Sequence, residues 1–155
     1  MSAEKAREAA RKLIGTVPGM MQAVASEMRH CDAPMTMPHF RALMMLAHHG
    51  SFTATELAQR QRVSLPTMSA TVSVLVDRGW VERVIDESDR RRSEVRLTDE
   101  GKAAVRAMYG RVQDMLTDRL GELDDDELDR VQDALVLLQA AFGGHKLPAE
   151  IGEDA

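Results

Sequence analysis

Apolar residues recur at helical spacing along nearly the whole chain, and only one short segment near residues 81–97 departs from that spacing. Side chains three and four residues apart share one face of a helix, whereas alternate side chains share one face of a strand. Residues 81–85 and 93–97 alternate in the second way and flank a charged turn. The chain is therefore predicted to be mainly α-helical, with four helical segments, one hairpin and two further helices.

Short polar residues that can cap helix N-termini mark where the predicted helices begin. In the first helical segment, residues 3–30, the apolar spacing is interrupted at Thr16, Pro18 and Gly19. This interruption predicts a kink, or two helices with Thr16 as the cap of the second. The remaining predicted helix starts are Thr36, Thr53, Ser64, Thr98 and Asp124.

Size and composition indicate a folded domain in a reducing compartment. The chain has 155 residues, of which 44% are apolar and 29% charged, which is ordinary for one folded domain. Its single cysteine, Cys31, excludes an internal disulfide framework. The charged segment Met1–Lys12 does not resemble a signal peptide, and no apolar run approaches the roughly 20 residues of a membrane helix. We expect a cytoplasmic protein without a membrane partner.

The net charge of −5 argues against a nucleic-acid partner, but the distribution of charge along the chain weakens that objection. Residues 39–98 contain nine Lys or Arg and seven Asp or Glu, a net charge of +2, and the rest of the chain carries −7. Acidic ends around a mildly basic middle are typical of a protein whose central part approaches phosphates.

The middle of the chain has the pattern of a helix-turn-helix. Two short predicted helices, residues 53–61 and 64–78, are separated by a tight turn. In this motif the second helix enters the major groove of duplex DNA, and small polar or apolar side chains can approach the base edges there. The predicted DNA-contacting residues of this helix are Ser64, Leu65, Pro66, Thr67, Ser69, Ala70 and Ser73.

The turn of the following hairpin has three consecutive arginines, Arg90, Arg91 and Arg92. Such a run in isolation is usually a solvated turn. Directly after a helix-turn-helix, however, it predicts insertion into a narrow minor groove, where arginine gains from the negative potential.

Several segments together resemble the MarR family of winged-helix transcriptional regulators. They are residues 57–58, 63–69, 75–83, 86–91 and 95–101, within a continuous match from about residue 36 to 104. The resemblance implies a two-fold dimer held by the terminal helices, an inverted-repeat operator and a signal that weakens DNA binding. It places Arg91 at the wing tip, with Asp89 bracing it. Ala70 departs from the family because many members have a basic residue there.

The fold predicted on this basis is a mainly α winged helix-turn-helix with a helical dimerisation region. Its predicted parts are dimerisation helices at 1–35 and 98–145, a DNA-binding domain at 36–97 and a flexible tail at 146–155. The predicted function is that of a non-enzymatic, homodimeric repressor without a cofactor, released by a phenolic or other lipophilic effector. The predicted effector-binding residues are Met28, Met35, His39, Met44 and Met45.

Other functions have less support in the sequence. A redox role for Cys31 is not favoured, because the cysteine lies near a loop and not inside the first helix, where peroxide-sensing regulators of this type have theirs. Cys31, His39 and Glu27 could lie near one another as zinc ligands, but zinc-sensing regulators of this type also have two histidines one turn apart in the helix after the hairpin. Residues 98–120 contain no histidine, so zinc sensing is not favoured. No catalytic motif appears, so a small metalloenzyme is the weakest hypothesis. A winged domain that binds protein instead of DNA remains the alternative, since the net charge is negative and Ala70 is not basic.

Overall fold

The computed structural model describes residues 2–30, 33–85 and 93–143, and this part of the chain is mainly helical. Its elements, in chain order, are α1 (Ser2–Arg29), α2 (Met37–His49), β1 (Ser51–Thr53), α3 (Ala54–Gln61), α4 (Leu65–Asp77), β2 (Val81–Ile85), β3 (Ser93–Leu97), α5 (Asp99–Leu120) and α6 (Asp125–Phe142). The predicted tail, residues 146–155, lies outside the described residues.

The first helix is continuous, so the prediction of two helices with a cap at Thr16 was wrong. Pro18 lies inside α1, and the Thr16 hydroxyl donates to the Lys12 carbonyl at 2.9 Å, as an interior threonine does. Proline removes one backbone donor, but its fixed φ is compatible with a helix. The loss of a single hydrogen bond therefore does not end a helix of 28 residues.

The chain divides into two compact units, Met1–Met37 and Pro38–Ala155. In the first unit, the backbone N–H of Met35 donates to the carbonyl of Met28 at 2.9 Å, so the chain turns back on the end of α1. The second unit contains all the other elements. The domain boundaries at residues 35, 97 and 145 remain predictions.

The second unit has an aliphatic core to which α2, α3, α4, the sheet and α5 contribute. Its predicted α4 stripe is confirmed at Met68, Val72 and Leu75, each at most 1% exposed, and Val76 is half-buried. Burying each of these side chains stabilises the fold by about 1.5–3 kcal/mol. Other buried residues are Ala42, Leu43, Leu46, Leu57, Ala58, Val81, Val95, Val105 and Met108.

The sheet has three antiparallel strands in the order β1-β3-β2, whereas the sequence predicted only the hairpin of β2 and β3. Buried Phe52 of β1 lies opposite buried Val95 of β3, and the Ser51 hydroxyl donates to Glu94 at 2.6 Å. A strand of three residues is too short to show an alternation in sequence, so pairing with β3 defines it.

The predicted helix caps are confirmed for the four helices whose N-cap contacts are resolved. The side chain of each cap accepts a hydrogen bond from the backbone N–H three residues later, and two of the caps form full capping boxes. The cap residues are Thr53, Ser64, Thr98 and Asp124.

The start of α5 is bound to the end of the α4 segment. Thr98 donates its backbone N–H to the Trp80 carbonyl at 3.1 Å and its hydroxyl to the Gly79 carbonyl. The Thr98 hydroxyl also accepts the N–H of Gly101 at 3.0 Å. A Cβ at Gly101 would lie 1.9 Å from the Trp80 carbonyl oxygen, so only glycine fits against this backbone. We call this set of contacts the Trp80–Gly101 junction.

We predict that Gly101→Ala destabilises the protein by about 1–3 kcal/mol, because the added methyl group forces backbone apart at the junction. The measurement is the free energy of unfolding from denaturant titration. The matched control is Gly110→Ala in the same helix, where an added Cβ meets nothing within 4 Å in the described residues. That control is expected to gain about 0.5–1 kcal/mol from helix propensity. Equal stability of the two variants would contradict the close approach at Gly101.

Candidate nucleic-acid interface

The turn between α3 and α4 is tight and closed by backbone hydrogen bonds. Arg62 has φ 56° and ψ 44°, in the left-handed region, and its N–H donates to the carbonyls of Ala58 and Gln59. The N–H of Val63 also donates to Ala58 at 3.0 Å. Ser64 then caps α4 through the N–H of Thr67. The helix-turn-helix predicted from the sequence is therefore present, and its geometry is set by local hydrogen bonds.

The two faces of α4 differ in the way that the sequence predicted. The face opposite the buried stripe is formed by small or short side chains, which leaves room for close approach of another surface. The structure places six of the seven predicted contact residues in exposed positions, and Ser69 is half-buried. The exposed six are Ser64, Leu65, Pro66, Thr67, Ala70 and Ser73.

The hydroxyl groups on this face are positioned by hydrogen bonds within the helix. The Ser64 and Thr67 hydroxyls lie 2.7 Å apart, and Ser73 donates to the Ser69 carbonyl at 2.9 Å. A hydroxyl that donates in this way keeps lone pairs that can accept from an amino group. Adenine and cytosine present amino groups in the major groove, so this face can accept hydrogen bonds from bases.

The predicted wing is present as the antiparallel pair β2 and β3. Val81 lies opposite Leu97 and Ile85 opposite Ser93, and the Arg96 Nε donates to Glu82 at 2.7 Å across the pair. The residues that join the strands, 86–92, lie outside the described residues. The wing assignments of Asp89, Arg90, Arg91 and Arg92 therefore remain predictions, as does any role for Cys31.

Two exposed arginines beside the helix-turn-helix turn were not among the predicted contact residues. Arg62 has the only positive φ of a non-glycine residue in the described part of the chain. The Arg60 guanidinium lies 4.7 Å from the centre of the Phe52 ring, within the range of a cation–π contact. The sequence contained one signal for these arginines, because they flank Gln61, the last residue of a predicted short helix.

The predicted effector-binding residues are divided between the two units. Met28 and Met35 are buried in the first, and His39, Met44 and Met45 are half-buried in the second. Their joint role remains a prediction. Among residues 2–30, 33–85 and 93–143 there is no cluster of His, Cys, Asp and Glu that could hold a metal ion. No helix in the same ranges is long and apolar enough to cross a membrane.

Burial lowers the pKa of His39 from its ordinary value of 6.5, and the positive charge of Arg78 lowers it further. The Arg78 guanidinium lies 4.9 Å from the centre of the Trp80 ring. Because burial and the Arg78 charge both lower the pKa of His39, the folded state favours the neutral imidazole. As the pH falls through 6.5, His39 takes up a proton in the unfolded chain before it does so in the folded protein. The stability that neutral His39 contributes is therefore lost as the pH falls through the lowered pKa.

We predict that an NMR titration gives His39 a pKa below 6.5 and that Arg78→Gln raises this pKa only part of the way back, because burial remains the larger cause. The control is Arg83→Gln, which removes an exposed arginine from β2. An unchanged His39 pKa in the Arg78→Gln variant would show that the guanidinium charge does not act on the imidazole.

Comparisons with known proteins identify the family. A model described as the MarR family matches residues 33–92. The uncharacterized HTH-type transcriptional regulator Mb0904 of Mycobacterium bovis is 32% identical over 112 residues, which are 72% of this chain and 78% of that protein. The chain belongs to the MarR family. The resemblance predicted from residues 36–104 is thereby confirmed. A second relative, YfiV of Bacillus subtilis, is named an HTH-type transcriptional regulator and is 30% identical over 72% of this chain and 70% of its own length.

Solved structures confirm the MarR-family fold. A MarR family protein from Bacillus stearothermophilus has a TM-score of 0.77 at 23% identity, with 93% of this chain and 99% of that chain covered. The wild-type apo form of MarR from E. coli has a TM-score of 0.72 at 24% identity, with 83% and 94% covered. The mainly helical winged helix-turn-helix predicted from the sequence is therefore correct.

Proposed function

We propose that this MarR-family protein is a repressor that binds duplex DNA sequence-specifically through the outer face of α4. The supporting observation is the character of that face. Its exposed residues from Leu65 to Val74 are small, hydroxylic or apolar, and the first carboxylate is Asp77 in the last turn. A helix end free of carboxylates can enter a groove lined by phosphates, and side chains of this kind suit base edges and thymine methyl groups.

The conformation of Arg62 supports a phosphate contact beside that face. A non-glycine residue in the left-handed region costs roughly 1–2 kcal/mol, and glycine at this position would avoid that cost. The turn places the exposed Arg62 next to the N-terminus of α4. A need for positive charge at that position would account for the cost of its conformation. We infer that Arg62 and Arg60 contact DNA phosphates and fix how α4 enters the groove.

Exposed apolar side chains support the homodimer. In the described residues, α6 has no buried side chain. A helix with apolar residues but no buried ones needs a partner surface, and a second copy of this chain supplies one. Two copies would present two α4 helices to an inverted repeat. The exposed large apolar residues of the terminal helices are Ile14, Val17, Met20, Met21, Leu120, Leu135, Val136, Leu137 and Phe142.

The proposal retains the remaining expectations from the sequence. Arg90, Arg91 and Arg92 enter the minor groove, and Asp89 braces Arg91. A lipophilic effector changes the spacing of the two α4 helices and weakens DNA binding, because it has different affinities for the two states. No catalytic step or cofactor is part of the proposal. The proposed site of action is the cytoplasm.

The alternative is a winged domain that binds a protein. The net charge of −5 and the uncharged Ala70 favour it. Salt separates the two functions, because binding to duplex DNA weakens steeply as salt rises with a slope set by the number of phosphate contacts.

We predict that Arg62→Gly weakens binding to duplex DNA and reduces the slope of log affinity against log salt by about two, as expected for one lost phosphate contact in each subunit of the dimer. The same change should not lower the free energy of unfolding, because glycine adopts the left-handed conformation without the cost borne by arginine. Fluorescence anisotropy with a labelled duplex and denaturant titration measure the two quantities.

The control for the lost charge is Arg7→Gln, at an exposed position of α1 far along the chain from the turn. It should leave the salt slope unchanged. If Arg62→Gly binds duplex DNA with the wild-type slope, the phosphate contact is refuted. If the wild-type protein shows no salt-dependent duplex binding, the proposed function itself is refuted and the protein-binding alternative takes its place.

A further inference from the structure

The second unit contains a half-open pocket of about 430 Å³ whose lining includes no residue of α4. It is formed where α2 ends, β3 ends and α5 begins. Its apolar lining is aliphatic and comes from Leu46, Ala47 and Leu97. A volume in this range suits a small molecule.

The four polar side chains that line the pocket can all donate hydrogen bonds. Two imidazoles, one guanidinium and one ammonium line it, from His48, His49, Arg96 and Lys102. None of the described residues that line it has a carboxylate. The positive charge of this lining favours an anionic ligand.

The Arg96 side chain has donors left for a ligand. Its Nε donates to Glu82 at 2.7 Å, and the described residues provide no hydrogen bond to its two terminal nitrogens. These nitrogens form the planar fork that binds a carboxylate through two parallel hydrogen bonds. The Lys102 ammonium forms a long ion pair with Asp99, at 3.7 Å, and the Asp99 side chain is 98% exposed. A ligand carboxylate can therefore compete for both cations.

We propose that this pocket binds a short aliphatic monocarboxylate. The carboxylate lies on Arg96 and Lys102, the imidazoles of His48 and His49 donate further hydrogen bonds, and the alkyl chain covers Leu46 and Leu97. The aliphatic lining, which contains no aromatic ring apart from the two imidazoles, favours an alkyl chain as the apolar part of the ligand. The proposal does not depend on DNA binding and is tested without DNA.

The experiment is calorimetric titration of the full chain with hexanoate, hexan-1-ol and inorganic phosphate, accompanied by ¹H–¹⁵N spectra. We expect saturable hexanoate binding, with shifts at Gly50, Leu97 and Lys102. Hexan-1-ol has the alkyl chain but no carboxylate, and phosphate has negative charge but no alkyl chain. Each should bind more weakly than hexanoate by about tenfold or more, because the first loses the charge-assisted contacts and the second loses the apolar contact.

Two variants locate the binding. Arg96→Gln should weaken hexanoate binding by about tenfold, but it also removes the bond to Glu82. Lys102→Gln leaves that bond in place and should weaken binding to a similar extent. Arg83→Gln, an exposed arginine of β2 outside the pocket, is the matched control and should bind as the wild type does.

Three results would overturn the proposal: no saturable binding of hexanoate at millimolar concentrations, wild-type affinity in both the Arg96→Gln and Lys102→Gln variants, or phosphate binding as tightly as hexanoate. Thermal unfolding of each variant identifies any loss of binding that comes from unfolding, in which case Lys102→Gln decides the outcome.

Discussion

The Trp80–Gly101 junction connects the end of the α4 segment, the base of the hairpin and the start of α5. Thr98 and Gly101 of the α5 start contact backbone carbonyls that directly follow α4, so the two ends of the hairpin are held together at its base. The hairpin register follows, with Val81 opposite Leu97. Because the approach leaves no space for a Cβ at Gly101, the junction has one geometry. The direction of α4, the base of the wing and the start of α5 are thereby fixed relative to one another.

Local chemistry in the sequence was sufficient to predict where the helices begin and how the two faces of α4 differ. The caps at Thr53, Ser64 and Thr98 are properties of three or four adjacent residues, and their hydrogen bonds are present as expected. The inner and outer faces of α4 follow from the spacing of Met68 and Val72 and from the small residues between them. The candidate interface could be predicted because it depends on a single helix and the turn before it.

Features that depend on contacts between distant segments could not be predicted in the same way. Strand β1 exists because Phe52 pairs with Val95, 43 residues later in the chain, and three residues contain too little pattern to show it. The continuity of α1 through Pro18 depends on the whole helix outweighing one lost hydrogen bond. The left-handed conformation of Arg62 is a property of the turn, and the pocket beside Arg96 forms only when α2, β3 and α5 meet.

The central claim is that the outer face of α4, presented twice by a dimer, reads DNA sequence. In vitro selection from a pool of random duplexes tests this most directly, with Ala70→Glu as the variant and Ala103→Glu, an exposed site on α5, as the matched control. The account predicts that the wild type and Ala103→Glu enrich an inverted repeat with half-sites about one helical turn apart, roughly 34–36 Å, and that Ala70→Glu does not. No enrichment by a folded, dimeric wild type, or equal enrichment by Ala70→Glu, would contradict it.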